Sequence, residues 1–205
     1  MKKKRLMNKM EYSAGIVSKL LWFVETRETA KLLQENSYSE IEKLVVEKNL
    51  YHQNQLDRVH REFNCIKKRL QALPDELVKE LIKTDVNTAK VIVFISTMVT
   101  DLLLFEFVYE VYRDKLRMAD YELKDIDFNV FFTNKSKQSE KIAGWTDATI
   151  SKIKQTYSRY LFEAGLIEGT NKDKKICRVY IDQDLRNILI RSNMEKYLYA
   201  VTGER

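Results

Sequence analysis

Apolar residues recur at three- and four-residue intervals along most of the chain, the spacing that gives a helix one dry face. After the apolar cluster Leu20, Leu21, Trp22 and Phe23, the pattern predicts a first helix over Glu25 to Gln34. Ser37 and Glu40 have capping-box spacing, Ser37 at the N-cap and Glu40 at the third helical position. The helix they start turns Ile41, Leu44 and Val45 inward and ends at Asn49. A third helix over Gln53 to Leu73 is expected to bury Leu56, Val59, Phe63, Ile66 and Leu70. Pro74 suits the start of a fourth helix, to Lys83, and a long apolar helix is predicted from about Val86 to Arg117.

Past Met118 the pattern changes. Asp125 to Phe132, with Ile126, Phe128, Val130, Phe131 and Phe132, opens a second module; Lys137 to Ala143 reads as a short helix and Gly144-Trp145 as a turn. The stretch WTDATISKIKQTYSRYLFEAGLIEGTNKDKKICRVYID, Trp145 to Asp182, then predicts a long helix, a strand, a basic turn and a second strand. Thr146 can accept an orphan backbone N–H as N-cap, and Asp147 suits the positive end of the helix dipole. Ile150, Ile153, Tyr157, Leu161 and Ala164 form the apolar stripe, and Gly165 is the stop. Leu166 and Ile167 begin the first strand, Gly169 to Asp173 turn, and Ile176, Val179 and Ile181 return. A last helix is predicted from Asp184 to Leu198. Helix plus basic hairpin is the second half of a winged helix, which lays its helix in the major groove and its wing along the backbone.

The expected fold is therefore mainly α, with an N-terminal helical domain over 1–118 and a winged-helix domain with a small β-hairpin wing over 119–205. The single proline and five glycines argue for helices over sandwiches, barrels or disordered linkers.

Charge sharpens the reading. Opposite the apolar stripe of the long C-terminal helix lie Thr149, Ser151, Lys152, Lys154, Gln155, Ser158 and Arg159. Lys and Arg suit phosphates or guanine edges, Gln suits adenine, and Ser and Thr are adaptable. No acid interrupts that face from Lys152 to Arg159, and the wing sets Lys172, Lys174, Lys175 and Arg178 against Asp173 alone. Residues 134–178 hold ten bases and five acids, whereas residues 75–133 hold seven bases and twelve acids. With six bases and one acid in residues 1–20, an acidic middle separates basic ends, a distribution suited to polyanion binding and equally to self-association. The helices over 25–73 have helix-turn-helix proportions, and Arg58, Arg61, Lys67, Lys68 and Arg69 are expected on the wet side of the third. Asp57 and Glu62 dilute that charge, so a plain three-helix bundle fits as well.

Other chemistry is hard to assemble. Cys65, Cys177, His52 and His60 lack metal-ligand spacing, so no metal or other cofactor is expected, and the thiols read as reduced and cytoplasmic. No signal peptide follows the Lys-rich start. From Val91 to Val108 thirteen of eighteen residues are apolar, yet Asp101 lies near the centre and the run is shorter than the roughly 20 residues of a membrane span. A core helix, with Asp101 capping or pairing, is the better reading. No catalytic constellation emerges. Competing functions are a protein-interaction adaptor, favoured if Tyr109, Tyr112, Tyr197 and Tyr199 are exposed, and an RNA-binding helical bundle.

Four stretches carry a family resemblance: YSAGIV at Tyr12 to Val17, FVETRETAKLL, TDLLLFEFVYEVYRDKL, and WTDATISKIKQTYSRYLFEAGLI. In this order they resemble the BrxA family, small proteins of bacterial BREX (bacteriophage exclusion) defence systems. The resemblance covers about Tyr12 to Ile181. It implies a cytoplasmic, all-helical DNA-binding accessory protein without enzymatic activity of its own; the helix-face argument makes double-stranded DNA the expected partner. Such a protein would work beside other BREX subunits, including the methyltransferase and ATPase that supply the chemistry. It brings no catalytic motif, so the site residues rest on the helix-face argument.

Overall fold

The computed structural model describes residues 11–169 and 173–204. A short 3-10 turn, Gly15–Ser18, leads to α1 (Phe23–Leu32), α2 (Tyr38–Glu47), α3 (Leu56–Ala72) and α4 (Asp75–Lys83). The capping box forms as expected: the Ser37 hydroxyl accepts from the Glu40 N–H at 3.3 Å, and the Glu40 carboxylate accepts from the Ser37 N–H at 2.7 Å. Val59, Phe63, Ile66 and Leu70 are buried, but Leu56, at the first turn of α3, is 57% exposed.

α5 (Val86–Thr100) is the central helix, with Val91 to Ile95 all buried. The single helix expected over 86–117 does not form. Asp101 takes extended backbone angles and caps a new helix, accepting from the Leu104 N–H at 3.0 Å. That helix runs through α6 (Leu102–Phe107), a π-helical turn (Val108–Tyr112) and α7 (Arg113–Arg117). Just before the break, the Ser96, Thr97 and Thr100 hydroxyls bond back to carbonyls three or four residues earlier, a habit that loosens helices. The two arms meet at 116°. No single helix among the described residues is long and apolar enough to cross a membrane, though the bent pair together has the composition.

α8 (Asp125–Gln138), α9 (Glu140–Ala143) and α10 (Asp147–Glu163) follow, α9 and α10 capped by Ser139 and Thr146. Gly165, at φ 75°, ends the run. β1 (Ile167–Glu168) pairs antiparallel with β2 (Lys175–Ile176). Gly169 turns the chain at φ 80°, where a Cβ would meet the Asp173 carbonyl oxygen at 2.1 Å, so only glycine fits. The hairpin is shorter than expected, since Val179 and Ile181 lie beyond β2. It gains instead a third segment: Glu122 bridges Lys175, with Leu123 N–H on the Lys174 carbonyl at 2.9 Å and Ile176 N–H on that of Tyr121 at 2.8 Å.

The predicted last helix is two, α11 (Gln183–Arg191) and α12 (Glu195–Thr202), parted where Asn193 adopts φ 55°. The buried residues form one contiguous core running through both halves of the chain. α10 packs on α5, α11 on α4, and α12 on α7. Tyr112 joins the halves directly, its hydroxyl donating to the carbonyls of Leu166 (3.1 Å) and Cys177 (2.7 Å) at the hairpin root.

Candidate nucleic-acid interface

α10 is positioned from both ends and from beneath. Thr146 accepts from the Thr149 N–H at 3.2 Å, and Ile153, Tyr157, Tyr160 and Leu161 sink into the core. Tyr157 joins an aromatic cluster with Phe107 and Phe132, ring centroids 5.4 and 6.3 Å away. Its hydroxyl is fully enclosed, and burial pushes its pKa well up. With that stripe fixed, Ser151, Lys152, Gln155 and Arg159 come to the exposed side, and Thr149, Lys154 and Ser158 are half-buried at its margin. Phe162, 49% exposed, continues the exposed side, four residues beyond Ser158 and seven beyond Gln155.

The bases differ in freedom. Lys152 is exposed with no ion pair among the described residues. Lys154 leans across to α8, its ammonium on the Asn129 amide oxygen and near the Phe132 ring. Arg159 donates to the Lys19 carbonyl at 2.9 Å and lies 3.8 Å from Glu163, so part of its charge is engaged. Burial pushes the Glu163 carboxyl above its ordinary range.

In the hairpin, Lys175 is exposed, but Lys174 corrects the expected wing. It is only 9% exposed, pairs with Asp125 at 3.0 Å and sits over the Phe128 ring. The alternation of a strand decides this, sending neighbours to opposite faces. Lys172 lies outside the described residues. Arg178 lies past β2 at the rim of a groove of about 770 Å³, with its guanidinium on the Tyr121 hydroxyl and ring.

The N-terminal helix pair is a weaker site than its sequence implied. Arg58, Arg61 and Lys68 are exposed and Lys67 half-buried over Tyr38 and Phe63. Arg69, expected on the wet side, is 2% exposed; it donates to the carbonyls of Leu20 (3.1 Å) and Leu21 (2.8 Å) between Trp22 and Tyr160. Glu62 is buried too, its carboxyl pushed up to about 7 by burial and by the Glu25 charge. His60 faces Glu42 at 3.2 Å.

Two ion-paired lysines escaped the sequence reading, one of them buried. Lys135, 3% exposed, bridges Glu106 and Glu110, each at 2.7 Å, and fastens α8 to the helix after Asp101. Lys141 on α9 stands exposed just before α10 and meets Glu11 at 3.2 Å. The four tyrosines on which the adaptor reading depended are not exposed: Tyr112 and Tyr197 are buried, Tyr109 and Tyr199 half-buried. No cluster of three metal-ligating side chains occurs among the described residues.

Fold and site define a mainly helical protein with a small antiparallel hairpin and a helix face that carries no acid between Lys152 and Arg159. The model of one family, BrxA, matches residues 10–193, and the chain belongs to that family. It is 35% identical over 200 residues to "BREX protein BrxA" of Bacillus cereus (strain H3081.97), covering 97% of this chain and 100% of the relative. BrxA is a protein of BREX phage defence. The fold recurs in the crystal structure of an uncharacterized protein from Magnetospirillum magneticum. Its TM-score is 0.80 at 20% identity, over 95% of this chain and 100% of that one.

Proposed function

We propose that this chain is a non-enzymatic, double-stranded DNA-binding accessory protein of a BREX system, working as a winged helix. The observation that carries the reading is the α10 face, exposed at Ser151, Lys152 and Gln155 and free of acids from Lys152 to Arg159. The order of elements supports it: the bridging segment at Glu122, three helices (α8, α9 and α10), then a hairpin whose second strand pairs with that segment. In this reading α10 enters the major groove, Gln155 and Ser151 reach base edges, and Lys152, Lys175 and Arg159 hold phosphates. Few bases on this face are free, so affinity rests on the backbone and sequence preference is modest.

A second reading is a docking subunit for a larger BREX component. It is favoured by Tyr180 (84% exposed) and Met118 (78% exposed) at the Arg178 groove. Binding to labelled duplex DNA across a salt series, with single-stranded DNA and RNA as competitors, separates the readings. Duplex binding should fall steeply with salt. Lys152→Glu with Lys175→Glu should flatten the slope of log affinity against log salt by about 2, near 0.9 per phosphate contact. A folded double variant with parental affinity and slope overturns the site, and salt-independent capture of another BREX subunit supports docking.

A further inference from the structure

Beyond β2 the chain runs on past its last backbone partner. Cys177 is still paired: its N–H bonds to the Leu166 carbonyl at 2.8 Å, and its carbonyl takes the Tyr112 hydroxyl. Backbone bonding resumes at Asp182, whose carbonyl accepts from the Arg186 N–H at 3.1 Å. Between them, no N–H or C=O of Arg178, Val179, Tyr180 or Ile181 makes a backbone hydrogen bond among the described residues. The stretch has the two-residue period of an extended chain, with Arg178 and Tyr180 exposed, Val179 half-buried and Ile181 buried. Consecutive unpaired donors and acceptors on extended backbone are a template for another strand.

The same stretch lines the groove of about 770 Å³, together with Arg117, Met118 and Glu204. Charge in the groove is unbalanced toward the positive. Glu204 is taken up by Arg186 through two bonds. Asp114 lies 2.9 Å from Arg113 and 3.6 Å from Arg117, so one carboxylate serves two arginines. Arg178 has no carboxylate partner among the described residues, only the Tyr121 hydroxyl and ring.

We infer that Arg178 to Ile181 is a docking edge for an extended, acidic segment of a partner protein, which adds to it as a strand. A peptide backbone supplies both the donors and the acceptors that this edge needs. Carboxylates of the segment meet Arg117 and Arg178, and an apolar side chain between them meets Met118 and Tyr180. A DNA phosphate fits less well, because it offers acceptors alone and leaves the carbonyls of the edge without donors. A second copy of the chain would set the edge against itself, with the same arginines facing each other. The inference rests on the docking reading given above, which it deepens, and stands apart from the DNA contact of α10.

The probe is a peptide of about ten alternating Glu and Val residues, long enough to span the edge. It is titrated into the isotope-labelled full chain and followed by NMR. The amide signals of Arg178 to Ile181 should move and their hydrogen exchange should slow, with those of α10 unaffected. N-methylation of two neighbouring peptide residues keeps every charge, removes a donor from each edge of the peptide, and should weaken binding about tenfold. Arg117→Gln with Arg178→Gln should weaken the Glu–Val peptide several-fold and leave the salt slope of DNA binding at the parental value. Unmoved amides at millimolar peptide, or equal binding of the N-methylated peptide, overturn strand addition. Equal binding of a Lys–Val peptide overturns the acidic partner. A lower DNA salt slope in the arginine variant assigns the groove to nucleic acid, and movement of the same amides on concentrating the protein alone assigns it to a second copy; either overturns the proposal. Capture of a purified BREX subunit that the arginine variant does not weaken leaves the docking reading standing and overturns this edge.

Discussion

α3 and α10 have the same length, α3 with five lysines and arginines and α10 with three, and they place those bases differently. In α3 the bases and acids turn inward as well as outward. Arg69 is buried against backbone carbonyls, Glu62 is buried with a raised pKa, and Lys67 lies across two aromatic rings. In α10 the buried stripe is apolar or aromatic, Thr156 apart, and every base stays at the surface or its margin. A count of lysines and arginines favours α3; what it misses is which cations the fold has buried. α3 turns Arg69 inward to hold the chain at Leu20 and Leu21, whereas α10 buries none of its bases.

The sharpest way to break this contrast is at Arg69. Arg69→Ala removes a charged donor shared by two carbonyls and leaves both inside the protein without it, so unfolding free energy should fall by about 3–4 kcal/mol. Lys68→Ala, one residue away and exposed, should stay within about 0.5 kcal/mol. Urea denaturation of both proteins gives the comparison, and similar values would mean that α3 carries no buried structural charge. Arg69→Lys should restore only part of the loss, because an ammonium lacks the flat guanidinium that lies against the Trp22 and Tyr160 rings.

Glu62 gives the next effect, and it has a pH signature. Its carboxyl is pushed up to about 7, from an ordinary value of 4.5. The folded protein therefore keeps a proton that the unfolded chain releases, and stability falls as pH rises from about 4.5 to 7. Above that window the full penalty is present. Glu62→Gln keeps an acceptor for the Gln53 amide, which now donates to Glu62 at 2.9 Å, and removes the charge. The variant should be more stable than the parent by about 2 kcal/mol at pH 8 and equal to it near pH 4.5. A gain of the same size at both pH values would show that packing, not ionisation, is responsible.

What the sequence made legible follows from how far each interaction reaches. The Ser37 capping box, the Thr146 cap, the Gly165 stop and the apolar stripe of α10 are settled within a few residues of themselves, and all four are found where expected. Asp101 was visible as a polar intrusion, but the 116° turn depends on which helix its side chain caps. The fates of Arg69 and Lys174 were not visible at all. Each is set by a partner 48 or 49 residues away, Leu20 and Leu21 for the first and Asp125 for the second. A bridge as short as Glu122 to Lys175 leaves no periodicity to read. The α10 face could therefore be read, while which hairpin lysine faces inward had to come from the fold.

That division supplies the smallest and most local test, in two adjacent lysines. Lys174 faces inward onto Asp125 and Phe128, and Lys175 faces solvent from the same strand. Lys174→Gln should cost about 1 kcal/mol, because its ion pair is shielded on the lysine side while Asp125 remains open to water. It should leave the salt slope of DNA binding unchanged. Lys175→Gln should do the reverse, leaving stability within about 0.5 kcal/mol and lowering the slope by about 0.9. If both substitutions lower the slope equally, the Lys174–Asp125 pair opens on DNA and the wing contributes both charges. If neither does, the hairpin stands clear of the backbone, and the proposed DNA contact must be sought on α10.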